Sequence, residues 1–180
     1  IAEADLPVDA YWLGAWLGDG NSHDVAIYKP VCNMTRWLET YAESLGMVVK
    51  EYAQPGKCSG WAITGTGNRT LNPLREFLKQ EMSGGKRIPA AYKTAPIAQR
   101  MKLLAGLLDS DGSLASGGYD WISKDQTLAE DFAFLCRSLG LAAYIQPCQK
   151  GIKSTGFVGN YWRVHVSGDC ERIPCLDKKA

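Results

Sequence analysis

A chain of 180 residues, 46% hydrophobic and 22% charged, has room for one ordinary core or two small ones, and this composition excludes a disordered polymer. No run approaches the roughly 20 apolar residues of a membrane-spanning helix, and the start IAEADLPVD offers neither the basic nor the apolar region of a secretory leader. Twenty basic against 19 acidic residues leave a net charge of +1, so any nucleic-acid binding must come from how the charges are distributed. Six cysteines without a CxxC pair read as reduced thiols.

In chain order, DAYWLGAWLGDG reads as an apolar helix ending at Asp19-Gly20, followed by the strand-like AIYK, which ends at Lys29. The helix WLETYAESLGM is closed by Gly46, VVKEY and WAITG are strands, and Asn72-Pro73 opens the helix LREFLKQEM. GKRIP at 85–89 then leads into a second round. Thr94, with Pro96 just inside, is the expected N-cap of the helix ending LAGLLDSDG at Asp111-Gly112. WISK ends at Lys124, and Thr127 with Glu130 is the expected capping box of a helix that Gly140 closes. AAYIQ, WRVHV and CERIP at 170–174 complete the chain.

The two rounds are copies. Asp19 to Asp111 is 92 residues, Lys29 to Lys124 is 95, Gly46 to Gly140 is 94, and the two RIP stretches lie 85 apart, all in the same order. The expected fold is therefore α+β: pseudo-twofold duplicated αββαββα units, the first spanning 1–93 and the second 94–180. Only ten residues separate Trp162 from Arg172 where 26 separate Trp61 from Arg87, so the second unit should lack its last helix.

Small residues recur four apart in both motif helices, Gly14 with Gly18 and Gly106 with Ser110. On a helix that spacing makes one smooth stripe, and two such stripes allow close backbone approach. Helices packed this way would end side by side and bring Asp19 and Asp111 together. Two carboxylates at the negative ends of two helix dipoles conflict unless a cation joins them, and a hard divalent ion resolves the conflict.

The paired motifs, the duplication and the basic residues after each motif resemble the LAGLIDADG homing endonucleases over nearly all of residues 6–176. The pattern WLGxWLGDG with a later RIP stretch looks most like the endonuclease domains of fungal inteins. The resemblance implies antiparallel sheets forming a DNA-binding saddle, and site-specific hydrolysis of both strands of a long duplex. It also implies Mg²⁺, with Mn²⁺ able to substitute, at Asp19 and Asp111, with Gly18 and Ser110 beside them. Lys29, Lys124 and Lys86 match positions where the family places basic residues near the metal; through the RIP stretches, Lys86 is matched in the second unit by Glu171. Asp109 reads as structural. A chain carrying both motifs needs no second copy, so a monomer acting on DNA in the nucleus is implied. A start without Met fits a piece of an intein precursor, and the absence of a terminal Cys or Ser and of a final His-Asn predicts no splicing by this chain itself.

DNA reading would fall to the strands. Period 2 places Arg163 with His165 on one face of WRVHV, Lys50 with Tyr52 on one face of VVKEY, and Tyr144 with Gln146 on one face of AAYIQ. Lys150, Lys153 and Arg163 lie in an acid-free stretch from 141 to 168. A descendant that binds DNA or RNA without cutting, such as a maturase, would keep the fold but has no need of both acids, and both are present.

Overall fold

The computed structural model describes residues 3–22, 24–67, 71–152 and 154–179. Helix α1 (Ala10–Asp19) begins at Asp9, whose carboxylate accepts hydrogen bonds from Tyr11 N at 2.8 Å and Trp12 N at 3.2 Å and so satisfies two otherwise unpaired donors. From Ala10 to Leu17 every side of α1 is buried. Helix α5 (Ile97–Asp111) is buried in the same way from Leu103 to Ser110. Helices apolar all round belong at the centre of a protein, and these two pack on each other there.

The small-residue stripe makes that packing possible. A Cβ on Gly14 would stand 2.2 Å from Leu103 O, and one on Gly106 would stand 2.2 Å from Tyr11 O. Backbone touches backbone, and neither side can yield. One turn further on, a Cβ on Gly18 would stand 1.9 Å from Ser110 Oγ.

The first sheet contains β1 (Ile27–Tyr28), β2 (Val48–Tyr52) and β3 (Gly60–Thr64) in the order β1-β3-β2. The second contains β4 (Ser113–Ala115), β5 (Gly118–Ser123), β6 (Ala142–Ile152) and β7 (Phe157–Ser167) in the order β4-β5-β7-β6. Both are antiparallel throughout. Helices α2 (Asn33–Ser44) and α6 (Gln126–Ser138) end as expected at Gly46 and Gly140, whose φ angles are +65° and +81°. Helix α3 (Pro73–Glu81) opens at Asn72-Pro73, also as expected. The inner sheet faces, with Ile63, Trp121, Val164 and Val166, close on the helices in one continuous core, where Trp121 stacks on Phe132 at 4.4 Å.

Several local expectations are corrected. Thr94 ends a short helix, α4 (Ala90–Lys93), because its N–H and hydroxyl both bond to Ala90 O, and Pro96 itself stands at the N-cap of α5. Asp125, not Thr127, caps α6, accepting from Leu128 N at 3.2 Å, while Glu130 accepts from Gln126 Nε2 at 3.0 Å. A carboxylate two residues earlier outcompetes the hydroxyl. The first pair of strands in unit one shrinks to β1 plus a single bridge, Gly20 to Ile27. Unit two ends in a 3-10 turn, Cys170–Arg172, where unit one has α3.

The tail fastens the two units together. Asp109, fully buried, accepts from Tyr11 Oη at 2.9 Å and from the backbone N–H groups of Leu176, Asp177 and Lys178 at 2.6, 3.1 and 2.8 Å. Its role is structural, as the sequence suggested. Asp177 in turn accepts from Asn33 N and Met34 N at 2.9 and 3.0 Å, supplying α2 with the carboxylate that Cys32, a poor N-cap residue, does not. Asp177→Ala is expected to lower stability by about 1 kcal/mol, the usual value of a helix cap, seen as a lower urea midpoint at unchanged slope.

Candidate active site

Asp19 and Asp111 are the last residues of α1 and α5, and the helices converge on them. A Cβ on Gly18 would lie 3.4 Å from Asp111 Oδ2, so the second acid reaches across to the end of the first helix. The Asp111 carboxyl is pushed up to about 6, first by the protein packed around it and then by Asp19, although one edge of the residue stays open to solvent.

Three ammonium groups surround the acids. Lys29 Nζ lies 2.9 Å from Asp19 Oδ2 and donates to Ser110 O at 3.2 Å, tying the end of one unit to the other. Lys86 Nζ sits among the carbonyls of Trp16, Leu17, Gly18 and Gly20 at 2.8–3.3 Å and covers the free end of α1. Lys178 Nζ donates to Ser110 O at 2.7 Å and Gly112 O at 2.5 Å, covering the end of α5. Burial pulls both Lys86 and Lys178 below the usual lysine range.

Lys178 is therefore the counterpart of Lys86, and Glu171, assigned that place through the RIP stretches, sits instead in the 3-10 turn. Aligning the RIP stretches misleads because the second unit lacks the helix that precedes the first one. Counting from the acids finds the pair: Lys86 follows Asp19 by 67 residues, and Lys178 follows Asp111 by 67.

Lys124 takes a different position from Lys29. Its Nζ lies 5.9 Å from the ring centres of both Phe157 and Tyr161, and among the described residues it forms no ion pair with Asp111. It does line, with Lys86, Asp111, Lys150 and Tyr161, a cavity of about 500 Å³ beside the acids. Ser110 turns its hydroxyl back onto Gly106 O and Leu107 O, each at 2.9 Å, leaving only its carbonyl toward the site.

A divalent ion fits this donor set. Among the described residues no three His, Cys, Asp or Glu side chains gather as a closed metal cage. The two carboxylates would leave positions for water and phosphate oxygens, which is how Mg²⁺ is usually held, while the adjacent carbonyls of Gly18 and Ser110 accept from Lys86 and from Lys29 and Lys178.

On the outward face of the second sheet, Tyr144 stands opposite His165, Gln146 opposite Arg163, and Lys150 opposite Gly159. An acid joins them from the neighbouring strand: Asp120 Oδ1 lies 2.8 Å from His165 Nδ1, and Oδ2 lies 4.0 Å from Arg163 Nε. On the first sheet Lys50 and Tyr52 share the outward face, opposite Ala62 and Gly60. Lys153 lies outside the described residues.

Residues 98–172 match the LAGLIDADG-like domain. A solved structure of mesophilic variants of the homing endonuclease I-DmoI superposes with a TM-score of 0.61, covering 89% of this chain and 88% of that one at 13% identity. The chain has the LAGLIDADG fold. I-DmoI in complex with DNA and Ca gives the same TM-score of 0.61 at 12% identity, covering 89% of this chain and 83% of that one. Other I-DmoI structures hold target DNA with Mg or Mn. Among curated proteins this chain is 34% identical over 142 residues to the replicative DNA helicase DnaB of Mycobacterium intracellulare. That match takes in 78% of this chain and 20% of the helicase, so the chain spans about a fifth of the length of that relative.

Proposed function

We propose that this chain is a site-specific endonuclease that makes a double-strand break in duplex DNA by divalent-metal-dependent phosphodiester hydrolysis. The observation that carries this reading is the acid pair at the meeting point of two glycine-packed helices, ringed by the ammonium groups of Lys29, Lys86 and Lys178. Asp19 and Asp111 would hold Mg²⁺, or Mn²⁺ in its place, with the carbonyls of Gly18 and Ser110 beside them. The bound ion would lower the pKa of water and offset charge on the reacting phosphate. Lys29 orients Asp19, while Lys86 and Lys178 fix the helix ends and add positive charge near the phosphates. Lys124 and Lys150, in the cavity beside Asp111, would meet the phosphate backbone leading into the site. Lys50, Tyr52, Tyr144, Gln146, Arg163 and His165 present the groove-reading face, and Lys153 is kept from the sequence as a phosphate contact.

In this reading units 1–93 and 94–180 each serve one half of the target, and a chain holding both acids acts as a monomer. The match to one fifth of a helicase chain supports a unit carried inside a longer protein, as an intein-encoded endonuclease is. It would act on DNA within the cell, in the nucleus where the host has one.

The test is to capture binders from a library of randomised 30-bp duplexes in Ca²⁺, clone the enriched sequence into a plasmid and add Mg²⁺. Linear product from the wild type and none from Asp19→Asn is expected. An enriched site that is bound but never cut or nicked would make the chain a binder only. Metal binding offers a second check, because protonated Asp111 must lose its proton to ligate. With a carboxyl titrating near 6, Mn²⁺ is expected to release about half a proton per site at pH 6 and almost none at pH 8, read by calorimetry in two buffers of different ionisation enthalpy. Equal release at both pH values would remove Asp111 from the ligand set.

A further inference from the structure

The four strands of the second sheet contain a single acid, Asp120, and the function proposed above gives it no role. It stands on β5 directly opposite His165 on β7, with Tyr144 of β6 on the far side of His165 and Ser113 of β4 on its own other side. Counted from the lysines at 29 and 124, its counterpart in the first unit is Val25, which is buried. Counted from Trp61 and Trp162, the counterparts of Arg163 and His165 are Ala62 and Thr64. The group of Asp120, Arg163 and His165 therefore belongs to one unit only.

An acid is out of place on a surface that must lie against phosphates, because it repels them. Stability does not account for it either. The side chains of Asp120, His165 and Arg163 are 26%, 36% and 46% exposed, and ion pairs so open to water contribute little to a fold. What the carboxylate does is set which hydrogen-bonding groups its neighbours show. Its two oxygens can only accept. Oδ1, 2.8 Å from His165 Nδ1, therefore takes a proton carried by that nitrogen, and in a neutral ring this leaves Nε2 as a bare acceptor. Oδ2, 4.0 Å from Arg163 Nε, draws that edge of the guanidinium toward β5 and leaves its two terminal nitrogens as the outward fork.

We infer that Asp120 is a specificity-determining positioning residue: it makes His165 an acceptor that selects an exocyclic amine, on adenine or cytosine, close to a guanine selected by the Arg163 fork. Residues two apart on a strand lie about 6.6 Å from each other and B-DNA advances about 3.4 Å per base pair, so the two bases fall within about two base pairs. The inference rests on the DNA-binding reading above and adds to it the chemical class of the bases that this pair reads.

Randomised 30-bp duplexes are selected in Ca²⁺ with the wild type, His165→Ala, Asp120→Asn and Asp120→Ala. The His165 imidazole is observed without DNA by ¹⁵N NMR at pH 8, and the His165→Ala spectrum tells the chain's two histidines apart. The wild-type ring should carry its proton on Nδ1, and the protein should prefer adenine or cytosine by about tenfold at the position that His165→Ala makes indifferent. In Asp120→Asn the amide oxygen stays with the Arg163 cation and the amide N–H turns to His165. The ring proton then moves to Nε2, and the preference at that same position turns to guanine or thymine, whose major-groove edges accept. Asp120→Ala should lose discrimination at both positions and bind unrelated duplex more tightly, because a negative charge has gone. Both Asp120 variants should melt within a few degrees of wild type. A wild-type ring protonated on Nε2, or an Asp120→Asn protein with unchanged base preference, would overturn the inference while leaving DNA recognition intact. So would equal weakening on every duplex together with a lower melting temperature, which marks a structural role. Enrichment of no sequence would overturn the DNA reading itself.

Discussion

Asp111→Asn is expected to abolish DNA cleavage and, in the absence of metal, to make the protein more stable. On the function proposed above, the loss of activity follows from removing one of the two carboxylates proposed to hold the metal, and should exceed about a thousandfold, equivalent to roughly 4 kcal/mol of barrier. The gain in stability follows from the cost of charging that carboxylate. An acid whose folded pKa is raised from 3.8 to about 6 contributes fully to stability below pH 4 and loses that contribution as the pH rises through 6. Asparagine keeps the uncharged state at every pH. The nominal shift corresponds to about 3 kcal/mol, and the solvent-open edge of Asp111 reduces the expected gain to about 1 kcal/mol, or 2–4 °C in melting temperature at pH 7.5. Thermal melts without metal from pH 4 to 8 should show the variant and wild type converging at the acid end. Asp19→Asn is expected to behave differently: it also kills cleavage, but it strands Lys29, whose side chain is only 13% exposed, and brings no gain in stability. Two variants with equal melts at every pH, or an Asn variant that cuts, would refute the assignment of strain and metal ligation to Asp111.

The second large effect is expected at Gly106. Replacing it with valine adds a Cβ 2.2 Å from Tyr11 O and 2.7 Å from Ala15 N, both backbone atoms of the facing helix. No rotamer relieves that overlap, so α1 and α5 must separate, and separation uncovers the central core and pulls the acids apart. The expected loss is more than about 4 kcal/mol, against at most about 1 kcal/mol gained in helix propensity. Gly84→Ala is the control, because a Cβ there meets only Arg87 Nη1 at 3.9 Å, and its melting temperature should stay within a degree or two of wild type. A soluble Gly106→Val protein with a normal circular-dichroism melt would show that the helix pair is less tightly constrained than its backbone contacts imply.

What was legible in the sequence was whatever repeats. The motif helices, their small-residue stripe and the acids at their ends recur at a fixed offset, and the helix-closing glycines at 46 and 140 report a left-handed backbone that few other residues adopt easily. Strand faces were legible wherever period 2 was clean, as in Val164 and Val166 against Arg163 and His165. Features set by partners distant in sequence were not legible. Asp120 reaches His165 and Arg163 only because β5 pairs with β7, and Lys124 rests near Phe157 and Tyr161 only because β7 passes beside it. Capping was misjudged where two good candidates compete within one turn, as with Asp125 and Thr127.

The bonds around Asp109 also join parts of the molecule that are far apart in sequence. That carboxylate lies 67–69 residues from its partners at 176–178, and besides them it bonds the Tyr11 hydroxyl. The same segment delivers Lys178 to the end of α5 and Asp177 to the start of α2. Without that segment Asp109 would lose three backbone donors and the end of α5 would lose the Lys178 ammonium. One short segment, 176–178, thus ties together a buried acid, the start of one helix and the end of another.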